Sequence, residues 1–335
     1  MVEEELKEQE ITREEPEQEQ VNTLPSNEVA IEKPADDAED YETVIETARL
    51  AFHKKFKKKN TVSYIMMAVV FLMAVASVIF ITRKEMGFKI AGWSIIGVAV
   101  VGMLSYYIVT RNTLPNATKE YIALVNKELN TRTFADNRFT DVTTDKDEKL
   151  ELADCISDGI YKNMTNIASR NVINGHFMNR TFKVGDMGLY SGSGRSRTSN
   201  FVGKYVSYPN DLHFENRYII NISGKTPVDL PNDVDDLEKA IEEENFVIYF
   251  PENSKPYADL SKAFIAKIKS IRVENPLLNI NIVIWGGHSS AYLSYEDAIM
   301  TLPFDKPFSK EPNEAYTRQL IAVLEAFNML VKKEK

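Results

Sequence analysis

The chain has 335 residues, 44% hydrophobic and 27% charged, with a formal net charge of −9 and one cysteine. A single thiol, Cys155, excludes an internal disulfide, and with histidines scattered at 53, 176, 213 and 288 it leaves no zinc-ligand spacing. Charge is segregated: residues 1–40 carry a net −12, residues 41–60 a net +4, residues 61–111 a net +3 and residues 112–335 a net −4, so the largest region lacks the basic face that general nucleic-acid binding needs.

Residues 1–40 contain no Phe, Trp or Tyr, are rich in Glu and Gln, and are interrupted by Pro16, Pro25 and Pro34. Such a segment buries too little apolar surface to offset chain entropy, so a disordered acidic tail is expected, either solubilising or partner-binding. Over residues 41–60, Val44, Ile45, Ala48, Ala51, Phe52 and Phe56 recur at helical spacing and predict a basic amphipathic juxtamembrane helix. Its lysines, Lys54, Lys55, Lys57, Lys58 and Lys59, suit an anionic inner leaflet, and Phe52 and Phe56 could insert at the headgroup boundary.

Val62–Ile81 and Ile90–Val109 are apolar runs of 20 residues each with no Asp, Glu, Lys or Arg. As helices each is about 30 Å long, the thickness of a bilayer's hydrocarbon core, so residues 61–111 are expected to form two transmembrane helices. The lysine cluster before the first run predicts that both termini face the cytosol and that the link Thr82–Lys89 lies outside. A signal peptide is disfavoured, because the run starts some sixty residues in, behind an acidic tail. With no ionisable group inside them, the runs read as anchors rather than an ion pathway. Gly92, Gly97 and Gly102 fall five apart, which does not give one small-residue helix face. Sequons begin at Asn116, Asn163, Asn179 and Asn221 and have no role in a cytosolic region.

Residues 112–335 suffice for one domain. Leu114-Pro115 breaks the second run's helix. Thr118–Leu129 and Leu150–Met164 have helical periodicity, with a polar linker or loop over Phe134–Asp147 between them. Asn171–Tyr190 alternates with period two around Gly175 and Gly185 as turn signals, and Phe201–Tyr208 and Arg217–Ile222 continue the strand pattern. Pro231–Glu243 predicts a helix capped by Asn232 or Asp233, Phe246–Phe250 a strand, and Tyr257–Ile271 a helix. Ile280–Trp285 and Ala291–Tyr295 predict strands joined at Gly286-Gly287, and Glu314–Val331 a last helix. The fold class expected is a two-helix transmembrane hairpin plus an α+β soluble domain with a mainly antiparallel sheet.

The succession Gly175-His176-Phe177, Phe201-Val202-Gly203-Lys204-Tyr205 and Phe246-Val247-Ile248-Tyr249-Phe250-Pro251-Glu252 ahead of a helix, then the pair Asn279–Trp285 and Ala291–Tyr295 and the tail Pro303-Phe304-Asp305-Lys306-Pro307-Phe308, resembles a bacterial family of two-span membrane proteins. The C-terminal cytosolic domain of that family has no known function. The resemblance implies a bacterial inner-membrane setting and no catalytic residues.

Chemistry is sparse. There is no P-loop, no His-Glu-x-x-His and no Gly-x-Ser-x-Gly. In Ser191–Arg197, Gly192 and Gly194 could let backbone N–H groups converge on an anion that Arg195 and Arg197 would pair, as in a phosphate nest, or the loop is a hairpin tip. His288 beside Ser289 and Ser290 invites a hydrolase reading, but no acidic orienter lies in an identifiable motif. Asp233-Val234-Asp235-Asp236 is explained as the first turn of a helix rather than a cation site. No metal or cofactor is expected. The function expected is a non-enzymatic scaffold or interaction module at the inner membrane, with the bilayer and an unidentified protein as partners and no nucleic acid. The alternative is a domain that binds or acts on a phosphorylated or lipid-derived molecule.

Overall fold

The computed structural model describes residues 28–33, 40–110, 113–145, 147–161, 163–192, 197–223, 237–243, 245–251, 260–271, 273, 277–295 and 306–330. Helix α1, Tyr41–Ile81, runs unbroken for 41 residues and so fuses the amphipathic segment with the first apolar run. No Gly or Pro interrupts it, and the Thr61 hydroxyl donates back to the Lys57 carbonyl at 3.0 Å, which keeps that polar group on the helix. Asp40 caps its start by accepting the Glu42 N–H at 3.4 Å. After a short link, α2 (Met86–Thr110) folds back beside it. Both helices are long and apolar enough to cross a membrane. They approach closely at Gly92, where an added Cβ would stand 2.6 Å from Ile81 Cγ1 and 3.0 Å from the Ser77 carbonyl; at Gly97 and Gly102 it would meet nothing within 4 Å. One glycine, not a repeat of three, therefore seats the pair.

Helix α3 (Thr113–Thr133) returns along the first turns of α1. Tyr41, Ile45 and Phe52 of α1 are buried there against Tyr121 and Val125, with Phe308 closing the cluster. The Phe52 ring stacks on Tyr121 at 5.2 Å.

The remaining elements form one sheet in which every pairing is antiparallel. Its strands are β1 (Glu28–Ala30), β2 (Phe139–Asp145), β3 (Asn166–Phe177), β4 (Arg180–Ser191), β5 (Thr198–Ser223), β6 (Leu237–Glu243), β7 (Phe246–Pro251) and β8 (Leu277–Tyr295). The order is β1-β2-β3-β4-β5-β7-β6, with β8 also paired to β5. Strand β5 is the spine: β8 follows it from Gly203 to Ser223, while β4 fills the other side of its first half and β7 that of its second. Its even-numbered residues Val206, Tyr208, Tyr218, Ile220 and Ile222 join a core under α5 (Lys262–Lys269) and α6 (Glu311–Asn328). Its odd-numbered Phe201, Tyr205 and Ile219 join a second core on the opposite face, under α4 (Leu152–Asp158).

Several expectations are corrected. Phe134–Asp147 is not only a linker: it holds β2, which lies next to β3 and leaves Thr140 and Asp141 exposed. The tail contributes β1, which pairs with β2. The helix expected over Pro231–Glu243 is a strand over 237–243, because pairing with β7 overrides its helical propensity; residues 231–236 lie outside the described residues, as do 257–259 of the Tyr257–Ile271 helix. The Leu150–Met164 helix is limited to α4, which ends at Gly159 with φ +76°. The turn between β3 and β4 is Met178-Asn179, both at positive φ, whereas Gly175 and Gly185 sit inside strands. There they allow close approach: a Cβ at Gly175 would touch Phe182 and Val142, and one at Gly185 would touch Leu150. Gly286-Gly287 is not a hairpin but an irregularity within a single strand, with Gly286 at φ +54°.

Replacing Gly92 by Val is expected to push α1 and α2 apart and lower the stability of the detergent-solubilised protein by about 1–3 kcal/mol. Gly97→Val should change it by less than ~0.5 kcal/mol. Thermal melting followed by helical circular dichroism separates the two outcomes.

Candidate functional site

The most unusual chemistry lies on the α4 face of the sheet. Asp158, the last residue of α4, is fully buried. Its Oδ2 accepts the Ser290 hydroxyl at 2.6 Å, the Tyr292 hydroxyl at 2.7 Å and the Tyr205 hydroxyl at 3.4 Å. Its Oδ1 accepts the Trp285 indole N–H at 3.4 Å, with His288 Nε2 at 3.8 Å. His288 Nε2 also lies 3.4 Å from the Tyr205 hydroxyl, and its side chain is 34% exposed, so the imidazole links the buried carboxylate to solvent.

The strand irregularity at Gly286 builds this site. Before it, Val283 and Trp285 face α4; after it, Tyr292 does, while Ala291 and Leu293 have crossed to the α5 and α6 side. The change of parity lets Trp285, His288, Ser290 and Tyr292 converge on one carboxylate. A carboxylate at a helix C-terminus opposes the helix dipole. Arg217 offsets this by donating to the Ser157 carbonyl at 3.2 Å, and its guanidinium lies 5.5 Å from the Trp285 ring centroid. A Cβ at Gly159 would run into that guanidinium, a second reason for glycine there.

Burial pushes the Asp158 carboxyl above the usual carboxylate range, while the Ser290 and Tyr292 hydrogen bonds and the neighbouring His288 pull it down. Burial and then the Asp158 charge raise Tyr205 and Tyr292. Cys155, one turn before Asp158, donates its S–H to the Met187 thioether at 3.2 Å, and burial pushes its thiol up to about 12. Neither nucleophile type is activated: the thiol stays protonated, and the Ser290 hydroxyl is committed to Asp158. The arrangement is a buried acceptor ringed by donors, and it fastens α4 to β5 and β8.

An acidic residue absent from the sequence around His288 does lie near it in the fold: Asp158, 132 residues before Ser290, with Oδ1 3.8 Å from Nε2. A trace of it exists in the sequence, since Asp158 falls three residues after Cys155 on the apolar stripe of α4. Among the residues expected to form an anion nest, Gly192 has φ +77° and its carbonyl accepts from the Thr165 hydroxyl at 3.1 Å. The Arg197 guanidinium packs 3.5 Å from the Tyr190 ring centroid. Gly194 and Arg195 lie outside the described residues, as does Asp233-Val234-Asp235-Asp236. Among the lysines of α1, Lys54, Lys55, Lys57 and Lys58 are exposed and Lys59 is half-buried. Phe52 departs from expectation, because its ring is buried between Tyr121 and Phe56 and has no free face to insert into headgroups.

Just before the lysines, Arg49 pairs with Glu46 at 2.6 Å, and Glu46 accepts the Phe308 backbone N–H at 3.0 Å. The Arg49 hydrogen bond, then that of Phe308, holds the Glu46 carboxyl down at about 2. Residues 306–310 thereby strap α1 to the start of α6, with the Tyr41 and Phe308 rings 6.1 Å apart.

The fold and this site define a helical hairpin that carries an antiparallel sheet locked by a buried carboxylate. No protein-family model matches the chain, and no curated protein does. Among solved structures, the crystal structure of the mycobacterial trehalose monomycolate transport factor A, TtfA, is similar over 53% of this chain and 88% of that chain, at 8% identity and a TM-score of 0.31. A likeness of that size supports neither a fold family nor a function.

Two predictions concern these contacts. Ser290→Ala, which removes the shortest of the three hydroxyl hydrogen bonds to the buried Asp158 Oδ2, should cost about 1–3 kcal/mol in chemical denaturation. In an Asp158→Ala background the same change should cost less than ~0.5 kcal/mol, because the partner is already gone. For the strap, a lowered carboxyl contributes stability above the ordinary Glu range and loses it as pH falls toward about 2. The exchange protection of residues 306–310, corrected for the intrinsic pH dependence of amide exchange, should therefore fall on acidification from pH 5 toward pH 2, and Glu46→Gln should be poorly protected already at pH 5 and nearly flat across that window.

Proposed function

We propose that the chain is a membrane-anchored scaffold or interaction protein that holds its sheet domain at the cytosolic face of a bacterial inner membrane. The observation that carries this reading is the outward face of the helical hairpin. Side chains such as Phe71, 68% exposed, and Trp93, 64% exposed, cover two uncharged runs that are left open among the described residues. A lipid environment accounts for apolar surface on this scale. The continuity of α1 supports the scaffold role, since the helix that carries the first run also docks on α3 and the 306–310 strap. The exposed Lys54, Lys55, Lys57 and Lys58 then form a collar between domain and apolar run, where an anionic leaflet attracts each by about 1 kcal/mol. The committed hydroxyl of Ser290 and the high Cys155 pKa weigh against nucleophilic chemistry at the Asp158 site.

Single cysteines at Asn60, Glu85 and Lys335 test the topology, with buried Cys155 as a silent background. An impermeant thiol reagent added to intact cells should label Glu85→Cys alone. Labelling at Lys335→Cys from outside would reverse the orientation and remove the cytosolic role. In reconstituted vesicles, replacing the five lysines by Gln should abolish any preference for phosphatidylglycerol over phosphatidylcholine, an effect that shrinks as salt rises.

A further inference from the structure

Strand β1 is a poor match for the edge it covers. Only three residues pair: Glu28 with Asp145, Val29 with Thr144 and Ala30 with Thr143. Ile31 adds one backbone hydrogen bond, its N–H to the Val142 carbonyl at 2.7 Å, and its side chain packs against the helix-side core. Val29 remains 54% exposed. The register sets an acidic residue against an acidic residue at one end, Glu28 at Asp145. Like charges at opposed cross-strand positions weaken pairing. Toward the other end of β2, Asp141 lies in an irregularity at φ +51° with its side chain 80% exposed and its Oδ2 3.6 Å from His176 Nδ1. The β2 edge thus offers main-chain hydrogen bonds, a place for one apolar side chain at the Ile31 position, and a carboxylate toward each end.

We propose that the outer edge of β2 accepts an extended basic segment of a partner chain by strand addition, and that residues 28–31 occupy this edge until such a segment displaces them. The occupant is defined by complementarity: an aliphatic residue at the Ile31 position and Lys or Arg at the positions of Glu28 and Glu32. Main-chain pairing supplies affinity, and the two carboxylates and the apolar position supply selectivity. The acidic segment in place has the apolar residue and the wrong charges, which makes it a holder rather than a tight ligand. This inference does not depend on the membrane reading.

The test uses the full chain in detergent and fluorescent peptides of residues 26–33. One peptide has the parent sequence, one carries Glu28→Lys and Glu32→Lys, and one is a scramble of the lysine peptide. Ile31→Pro in the protein removes the donor that fastens β1. The lysine peptide should bind this variant at least tenfold more tightly than it binds the parent chain, whose edge is occupied. The parent-sequence peptide should bind the variant roughly tenfold more weakly than the lysine peptide at low salt, with the gap closing as salt rises. Hydrogen exchange on Phe139–Asp145 verifies that the edge has opened. If Ile31→Pro leaves it protected, removal of residues 1–33 opens it for the same titration. Failure of the lysine peptide to bind the opened edge overturns the proposal, and so does equal binding of the scramble, which would reduce the effect to charge alone.

Discussion

The backbone of β5 must find hydrogen-bond partners on both sides over 26 residues, and the sheet is organised by how that requirement is met. No neighbour on the β4 side is long enough, so β4 and β7 share it. On the other side β8, 19 residues long, accompanies it from Gly203 to Ser223 but not in step. Between the pairs Tyr218–Ile284 and Pro209–His288, nine residues of β5 pass against four of β8. The difference is odd, so β8 must swap faces while β5 does not, and Gly286 at positive φ is where the backbone absorbs the swap. The same mismatch that the sheet tolerates is what gathers Trp285, Ser290 and Tyr292 around Asp158. The site is a by-product of strand length in the first instance and a lock on α4 in the second.

Much of the architecture was legible because it rests on local patterns. Uncharged 20-residue runs, alternating strands such as Phe201–Tyr208 and Arg217–Ile222, and the long helix near the C-terminus need only their own periodicity. Elements whose identity depends on a neighbour were not legible. Leu237–Glu243 reads as a helix because Leu, Glu, Lys and Ala are helix formers, and it becomes a strand because Phe246–Pro251 presents an edge a short turn away. Phe139–Asp145 reads as a loop because its side chains are mostly polar, with Thr140 and Asp141 exposed. The Gly pairs misled in one direction: a glycine marks either a turn or a close approach, and at Gly175 and Gly185 packing against Phe182 and Leu150 was invisible. The Asp158 cluster was hidden for a related reason, since its hydroxyl donors lie 47, 132 and 134 residues away in sequence.

Three polar contacts in this protein join separate elements. Asp158 joins α4 to two strands, and Glu46 joins α1 to residues 306–310. A third junction, the buried pair of Lys204 and Asp186 at 2.6 Å, couples β4 to β5 beneath Tyr316 of α6. Apolar packing alone could fill these places with similar volume, but it would not fix register as tightly, because a displaced ion pair in a low-dielectric interior is left unsatisfied. The two apolar cores supply cohesion, and these three contacts specify alignment.

The unbroken course of α1 makes it a rigid lever. From Asn60 to Tyr41 the helix extends about 30 Å beyond the apolar run. A helix in a bilayer adjusts to thickness by tilting. Because no Gly or Pro lies along the way, a change of about 10° in the tilt of residues 62–81 would sweep Tyr41 through about 5 Å, on the same rise per residue. The 306–310 strap grips that moving end, so in the proposed membrane setting lateral stress in the lipid would reach α6 as a displacement.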